Sequence, residues 1–88
     1  MKSVAATSFW RLYGALPDAV RQETREAFRR FRDNPAHPGL SFERLRSRPD
    51  SWSVRISRDY RAVGRKEGDS IVWYWIGTHA DFDKRFPA

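Results

Sequence analysis

Trp52–Arg61, WSVRISRDYR, and Trp73–His79, WYWIGTH, are the stretches whose reading decides the fold. Read with a period of two, Trp52, Val54 and Ile56 share one face, and Ser53, Arg55 and Ser57 share the other. That is the pattern of a strand burying an aromatic and β-branched face while presenting arginine on the opposite one. A turn at Ser57-Arg58-Asp59, centred on Arg58, places Arg55 directly across the hairpin from Arg61. Two guanidiniums side by side repel each other unless an anion sits between them. The pairing points to phosphate as a ligand, and through phosphate to nucleic acid.

The composition narrows the field around that hairpin. Eighty-eight residues are expected to form a single domain over 1–88, and an aromatic content of 15% supplies a core at small entropic cost. The chain contains no cysteine, which excludes disulfides and thiolate metal sites and permits a reducing compartment. No apolar run approaches a membrane span, and the N-terminus lacks a signal-peptide hydrophobic region, so the expected location is the cytoplasm. Seventeen basic residues face eleven acidic ones, a formal charge of +6, and fourteen of the seventeen are arginine. A GC-rich genome can produce that arginine bias without selection for binding. It does not explain the placement, because seven arginines and three acids lie between Leu40 and Arg65, where the strands should be. A basic strand face suits either a nucleic-acid surface or an acidic protein partner.

The remaining elements follow from periodicity and punctuation. Met1–Val4 reads as a short edge strand. A first helix starts from Ser8 as N-cap, with Phe9, Leu12, Tyr13 and Leu16 at helical spacing. Pro17 ends it and opens a second helix, about 17–32, whose stripe is Val20, Thr24, Ala27, Phe28 and Phe31. Its other surface carries Arg21, Arg25, Arg29 and Arg32 among Glu23 and Glu26, which reads first as a solvated face. Asp33-Asn34-Pro35 stops that helix, and Pro38-Gly39 prolongs the loop. Leu40–Leu45 reads as a strand, Trp52–Ile56 pairs with Tyr60–Arg65, and Glu67-Gly68-Asp69 turns into Ile71–Ile76. The last segment is apolar on both faces, as a covered inner strand should be, with Trp52, Trp73 and Trp75 as core residues. The expected architecture is α+β: two N-terminal helices packed on one face of a small, mostly antiparallel sheet whose other face is open.

So arranged, the chain resembles the RelE/ParE superfamily of bacterial toxin–antitoxin toxins over nearly its whole length. The likeness runs through SFWRLYGALPDAV, FRDNPAHPGLSFERL, WSVRISRDYRAV and WYWIGTHADFD, and its most specific part is the ordered set W-S-V-R-I, D-Y-R and G-T-H-x-x-F. The resemblance implies a small α+β toxin neutralised by a cognate antitoxin whose C-terminal part is acidic, the two forming a hetero-oligomer. It also implies one of two actions. RelE-like members cut mRNA in the ribosomal A site without a metal or other cofactor, whereas ParE-like members poison DNA gyrase without hydrolysis. A third possibility is a weakened relative that only docks its antitoxin.

Metal-free RNA cleavage must activate a ribose 2′-OH, stabilise a crowded phosphorane and protonate the leaving oxygen. The resemblance implies that Arg61 meets the phosphorane charge, with Arg55 assisting, and that His79 and Glu43 handle protons. Arg44, Arg46 and Arg48 flank Glu43 and, with Arg65 and Lys84, would grip the RNA backbone, while Phe82 would stack on a base. Each residue also has a plainer reading: a salt bridge from Arg61 to Asp59 or Glu43, a turn cap for His79, a solvated strand end for the arginines. His37, in a Pro-flanked loop, reads as solvent-exposed, and Trp10 falls off its helix stripe. The chain also departs from the family where Ala80 follows His79 and Phe82 stands at a frequent tyrosine position. Phenylalanine can stack, but it has no hydroxyl to exchange a proton.

Overall fold

The computed structural model describes residues 1–87. Strand β1 (Lys2–Ala5) leads into helices α1 (Thr7–Gly14) and α2 (Asp18–Asp33). A single 3-10 turn (Pro38–Leu40) precedes β2 (Glu43–Arg44), β3 (Ser51–Ser57), β4 (Tyr60–Glu67), β5 (Ser70–Thr78) and α3 (His79–Arg85). The five strands form one sheet in the order β1-β5-β4-β3-β2, with β1 parallel to β5 and every other pair antiparallel. The expected α+β arrangement is present. Among the described residues no helix is long and apolar enough to cross a membrane.

Helix α2 buries Val20, Thr24, Ala27 and Phe31 along the stripe expected for it. A fully buried Phe contributes roughly 1.5–3 kcal/mol, against about 0.2–0.5 kcal/mol for an exposed side-chain pair on a helix. The stripe, not the charged face, therefore holds α2 to the sheet. Phe31, Trp73 and Phe42 meet edge to face or tilted at centroid distances of 4.9–6.4 Å, with Val54, Ala62 and Ile71 filling the space around them. Pro17 sits one residue earlier than expected, at the N-cap of α2.

Four local expectations are corrected. Ser8 is not a cap: α1 begins at Thr7 after Ala6, and Ser8 Oγ instead donates to the Tyr74 carbonyl at 2.8 Å. The segment 40–45 forms a strand only at Glu43–Arg44, because Leu40 is drawn into the core by the 3-10 turn and Ser41 takes a left-handed φ of 45°. Trp73 and Trp75 are both buried, as expected, but the two-residue alternation that would put them on one face is broken. The ladder pairs Gly64 with Trp73 and Val63 with Trp75, leaving Tyr74 as an unpaired bulge that reverses the alternation. Trp73 therefore packs under the helices, and Trp75 packs on the opposite face against Phe86 and Phe82.

That opposite face is not left open, the fourth correction. Helix α3 crosses part of it, and Leu45, Val63, Trp75 and Phe86 form a second small core beneath it. The signal for α3 was present as Thr78-x-x-Asp81, a helix-start pattern: Thr78 Oγ1 accepts from the Asp81 amide at 3.1 Å. The ring of Trp75 lies over Gly77, where a Cβ would come within 2.6 Å of it.

Gly64 faces the main core, and a Cβ there would meet Ile71 and Trp73 at 2.8 Å. Gly64→Ala should destabilise the fold by about 1–3 kcal/mol, read as a lower urea midpoint at unchanged slope. Thr78→Ala removes the cap of α3 and should cost about 1 kcal/mol, with faster amide exchange confined to 79–86.

Candidate nucleic-acid groove

The hairpin builds the site. Arg55 and Arg61 are direct partners in the β3–β4 register, the pairing expected from a turn centred on Arg58. They reach that register through a different turn: Ser57 pairs with Tyr60 around Arg58-Asp59, and an irregularity between Arg55 and Ser57 absorbs the difference. Arg61 then closes the turn itself, since its Nη1 donates to the Ser57 carbonyl at 2.8 Å and the Tyr60 carbonyl at 3.0 Å. Neither Asp59 nor Glu43 forms a salt bridge with it among the described residues. Desolvation by burial, and then the Arg55 charge, pull the Arg61 pKa below the ordinary arginine value, while Asp83 and Asp59 pull it up. A half-buried guanidinium held by carbonyls is rigid, and rigidity suits a group that must meet developing negative charge.

On this face lies a groove of about 660 Å³ walled by β2, the loop after it, β4 and α3. Glu43, Arg44 and Arg46 border it on one side, and Arg61, His79 and Phe82 on the other. Asp83, which sequence reasoning missed, also borders it and accepts a hydrogen bond from His79 Nδ1–H at 3.1 Å. The signal was the spacing from His79 to Asp83, four residues on a helix that was not anticipated. The His79 amide donates to the Asp59 carbonyl at 2.7 Å, so the start of α3 and the hairpin turn are tied together. Among the described residues no cluster of three His, Asp or Glu side chains could share a metal ion.

The other anticipated residues lie elsewhere. Arg55 borders a different cavity, on the α2 side of the sheet edge. Arg48 stands 5.1 Å over the Phe86 ring, outside the groove lining. Arg65 pairs with Glu67 at 3.5 Å and lies 5.9 Å above Tyr74. Lys84 is exposed on α3 and does not line the groove. The groove thus combines a fixed cation, a carboxylate, an imidazole and an aromatic ring, with two further exposed arginines at its rim. Those groups can bind a phosphodiester and move protons about it.

Among curated proteins, none matches this chain. Solved structures do. RelE in the RelB–RelE antitoxin–toxin complex from Methanococcus jannaschii superposes with a TM-score of 0.75 at 14% identity, over 96% of this chain and 99% of that one. The YoeB/ParE toxin from Agrobacterium tumefaciens gives 0.69 at 25% identity, covering 90% and 99%. YafQ from E. coli gives 0.73 at 10% identity, covering 92% and 96%. At such low identities the likeness to the first and third establishes the fold alone. The family model for the ParE-like toxin domain matches residues 18–84, from the start of α2 to the last turn of α3, and the chain belongs to that family.

Proposed function

We propose that this chain is the toxin of a type II toxin–antitoxin pair and that it blocks translation by cutting ribosome-bound mRNA without a metal. The observation that carries the reading is the convergence of Arg61, Glu43 and His79 on one groove, rimmed by Arg44 and Arg46. In this mechanism Glu43 accepts the 2′-OH proton, Arg61 stabilises the phosphorane, and His79 protonates the leaving 5′-oxygen. Asp83 orients the imidazole, and Phe82 stacks on a base. Arg44 and Arg46 hold flanking phosphates as exposed cations. A cytoplasmic location goes with this role.

A second reading is a ParE-like inhibitor of DNA gyrase with no catalytic centre. Two observations favour it: Nη1 of Arg61 is already committed to backbone carbonyls, and Phe82 has no hydroxyl. Expression in a bacterial host separates the two. With the nuclease, methionine incorporation falls first, and Arg61→Ala abolishes the fall while leaving the fold and the thermal midpoint within a few degrees. A fall in thymidine incorporation alone assigns the chain to gyrase.

The partner in either case is an antitoxin with an acidic C-terminal part, forming a hetero-oligomer with this chain, as RelE of M. jannaschii does with RelB. A surface on the far side of the molecule suits it. Val4, Trp10, Tyr13 and Phe28 line an apolar groove beside the open edge of β1, with Arg25 and Arg29 along its rim. Trp10 is 56% exposed there, an aromatic anchor with nothing over it among the described residues. Trp10→Glu should weaken antitoxin binding at least about tenfold in titration calorimetry, with Arg61→Ala close to wild type.

A further inference from the structure

The cavity bordered by Arg55 is separate from the Arg61 groove and has no part in the chemistry above. It encloses about 470 Å³ at the turn end of the β3–β4 hairpin, between α2 and the loop before β2. Arg55, Ile56 and Ser57 border it in succession. Three consecutive residues border one cavity here because the ladder is irregular between Arg55 and Ser57 and the wall is the strand's outer edge. That edge is free because β2 is too short to cover it: it pairs with Trp52 and Ser53 and stops.

Three arginines from three different elements meet here: Arg30 from α2, Arg55 from β3 and Arg58 from the turn. All three are exposed, and among the described residues none is within salt-bridge distance of a carboxylate. Glu23 and Glu26 border the same cavity without pairing to them. The loop contributes His37, whose Nδ1 accepts from the Gly39 amide at 3.0 Å. That bond takes the Nδ1 lone pair and leaves the neutral ring's N–H at Nε2. The ring lies close over Gly39, where a Cβ would stand 3.2 Å from it. The cavity therefore presents three planar cations and one oriented ring N–H, with the carboxylates bordering it from α2.

We propose that this cavity is a second phosphate seat for single-stranded RNA. Arg30, Arg55, Arg58 and His37 hold the backbone of the segment next to the one in the Arg61 groove. The inference rests on the nuclease reading and extends it from one groove to a path around the hairpin. Arg55 is the link, because it is the register partner of Arg61 and yet borders the second cavity. A strand passing between them would neutralise the repulsion that the hairpin builds in. Arginine suits both ends of the path, since its planar fork engages phosphate oxygens in pairs. On the α2 wall Glu23 and Glu26 offer acceptors to ribose hydroxyls and exocyclic amines, while Arg30 meets phosphate.

The test is fluorescence anisotropy with a labelled twelve-nucleotide RNA carrying 2′-O-methyl groups throughout, so that no cleavage occurs. Affinity is measured against salt for the wild type, for the Arg30→Gln/Arg58→Gln double variant and for Arg61→Gln. Each phosphate contact on a single strand contributes about 0.7 to the slope of log K against log salt. The double variant should lower the slope by roughly 1.4 and weaken binding about tenfold at moderate salt, with an unchanged circular dichroism spectrum. His37→Ala should weaken binding without changing the slope, because a neutral ring contributes no counterion release. An unchanged slope in the double variant, alongside a reduced one in Arg61→Gln, overturns the second seat and leaves the groove reading standing. Absence of salt-dependent binding by the wild type overturns both.

Discussion

Between Trp73 and Trp75, strand β5 gives up one rung of its ladder with β4, and the bulged Tyr74 sends the two indoles to opposite faces of the sheet. Without that bulge both rings would crowd under α1 and α2, and α3 would have no aromatic floor to rest on. The bulge is held from the other side by Ser8, whose hydroxyl takes the Tyr74 carbonyl, and by the Ala6 amide, which takes that of Trp73. The Tyr74 hydroxyl shares a hydrogen bond with buried Ser51 at 2.9 Å, so the same residue also fastens the start of β3. A single irregular residue thus couples the N-terminal helix, the central hairpin and the face on which the groove lies.

The second organising feature is the charge placed on the hairpin. Arg55 and Arg61 face each other across two central strands, an arrangement that opposes folding unless solvent or an anion screens it. The protein accommodates it by turning Arg61 onto the carbonyls of its own turn and leaving Arg55 exposed at the sheet edge. One arginine is immobilised and the other stays free. Under the proposed nuclease reading, the rigid cation stabilises charge and the exposed one captures the strand.

Much of this was legible from local pattern. The alternation in WSVRIS, the α2 stripe and the turn residues at Gly68 carry their structural meaning within a few residues of themselves. The Arg55–Arg61 pairing matches the count from a turn centred on Arg58, but it is reached through the Arg58-Asp59 turn and an irregularity at Ile56 that counting does not reveal. The fate of Leu40–Leu45 was not legible: a short apolar stretch is ambiguous between strand and core plug, and the left-handed Ser41 settles it only in three dimensions. Asp83 was hidden for a related reason. Its partnership with His79 exists only if 79–85 is helical, and a seven-residue helix carries little periodic signal of its own.

By itself, then, the sequence determined the class of the fold, the main elements as far as β5, the basic hairpin and the supply of arginine, histidine and carboxylate side chains. These depend on side-chain period, turn chemistry and charge, all short-range properties of the chain. Only the tertiary structure decided which of those residues share a groove. It carried Arg46 and Glu43 to His79 and Phe82, and it sent Arg55 to a separate cavity with Arg30 and His37. The physical reason is that such neighbours come from elements far apart in the chain. Their meeting depends on one bulge, one two-residue strand and one capped helix, none of which leaves a strong periodic trace in the sequence.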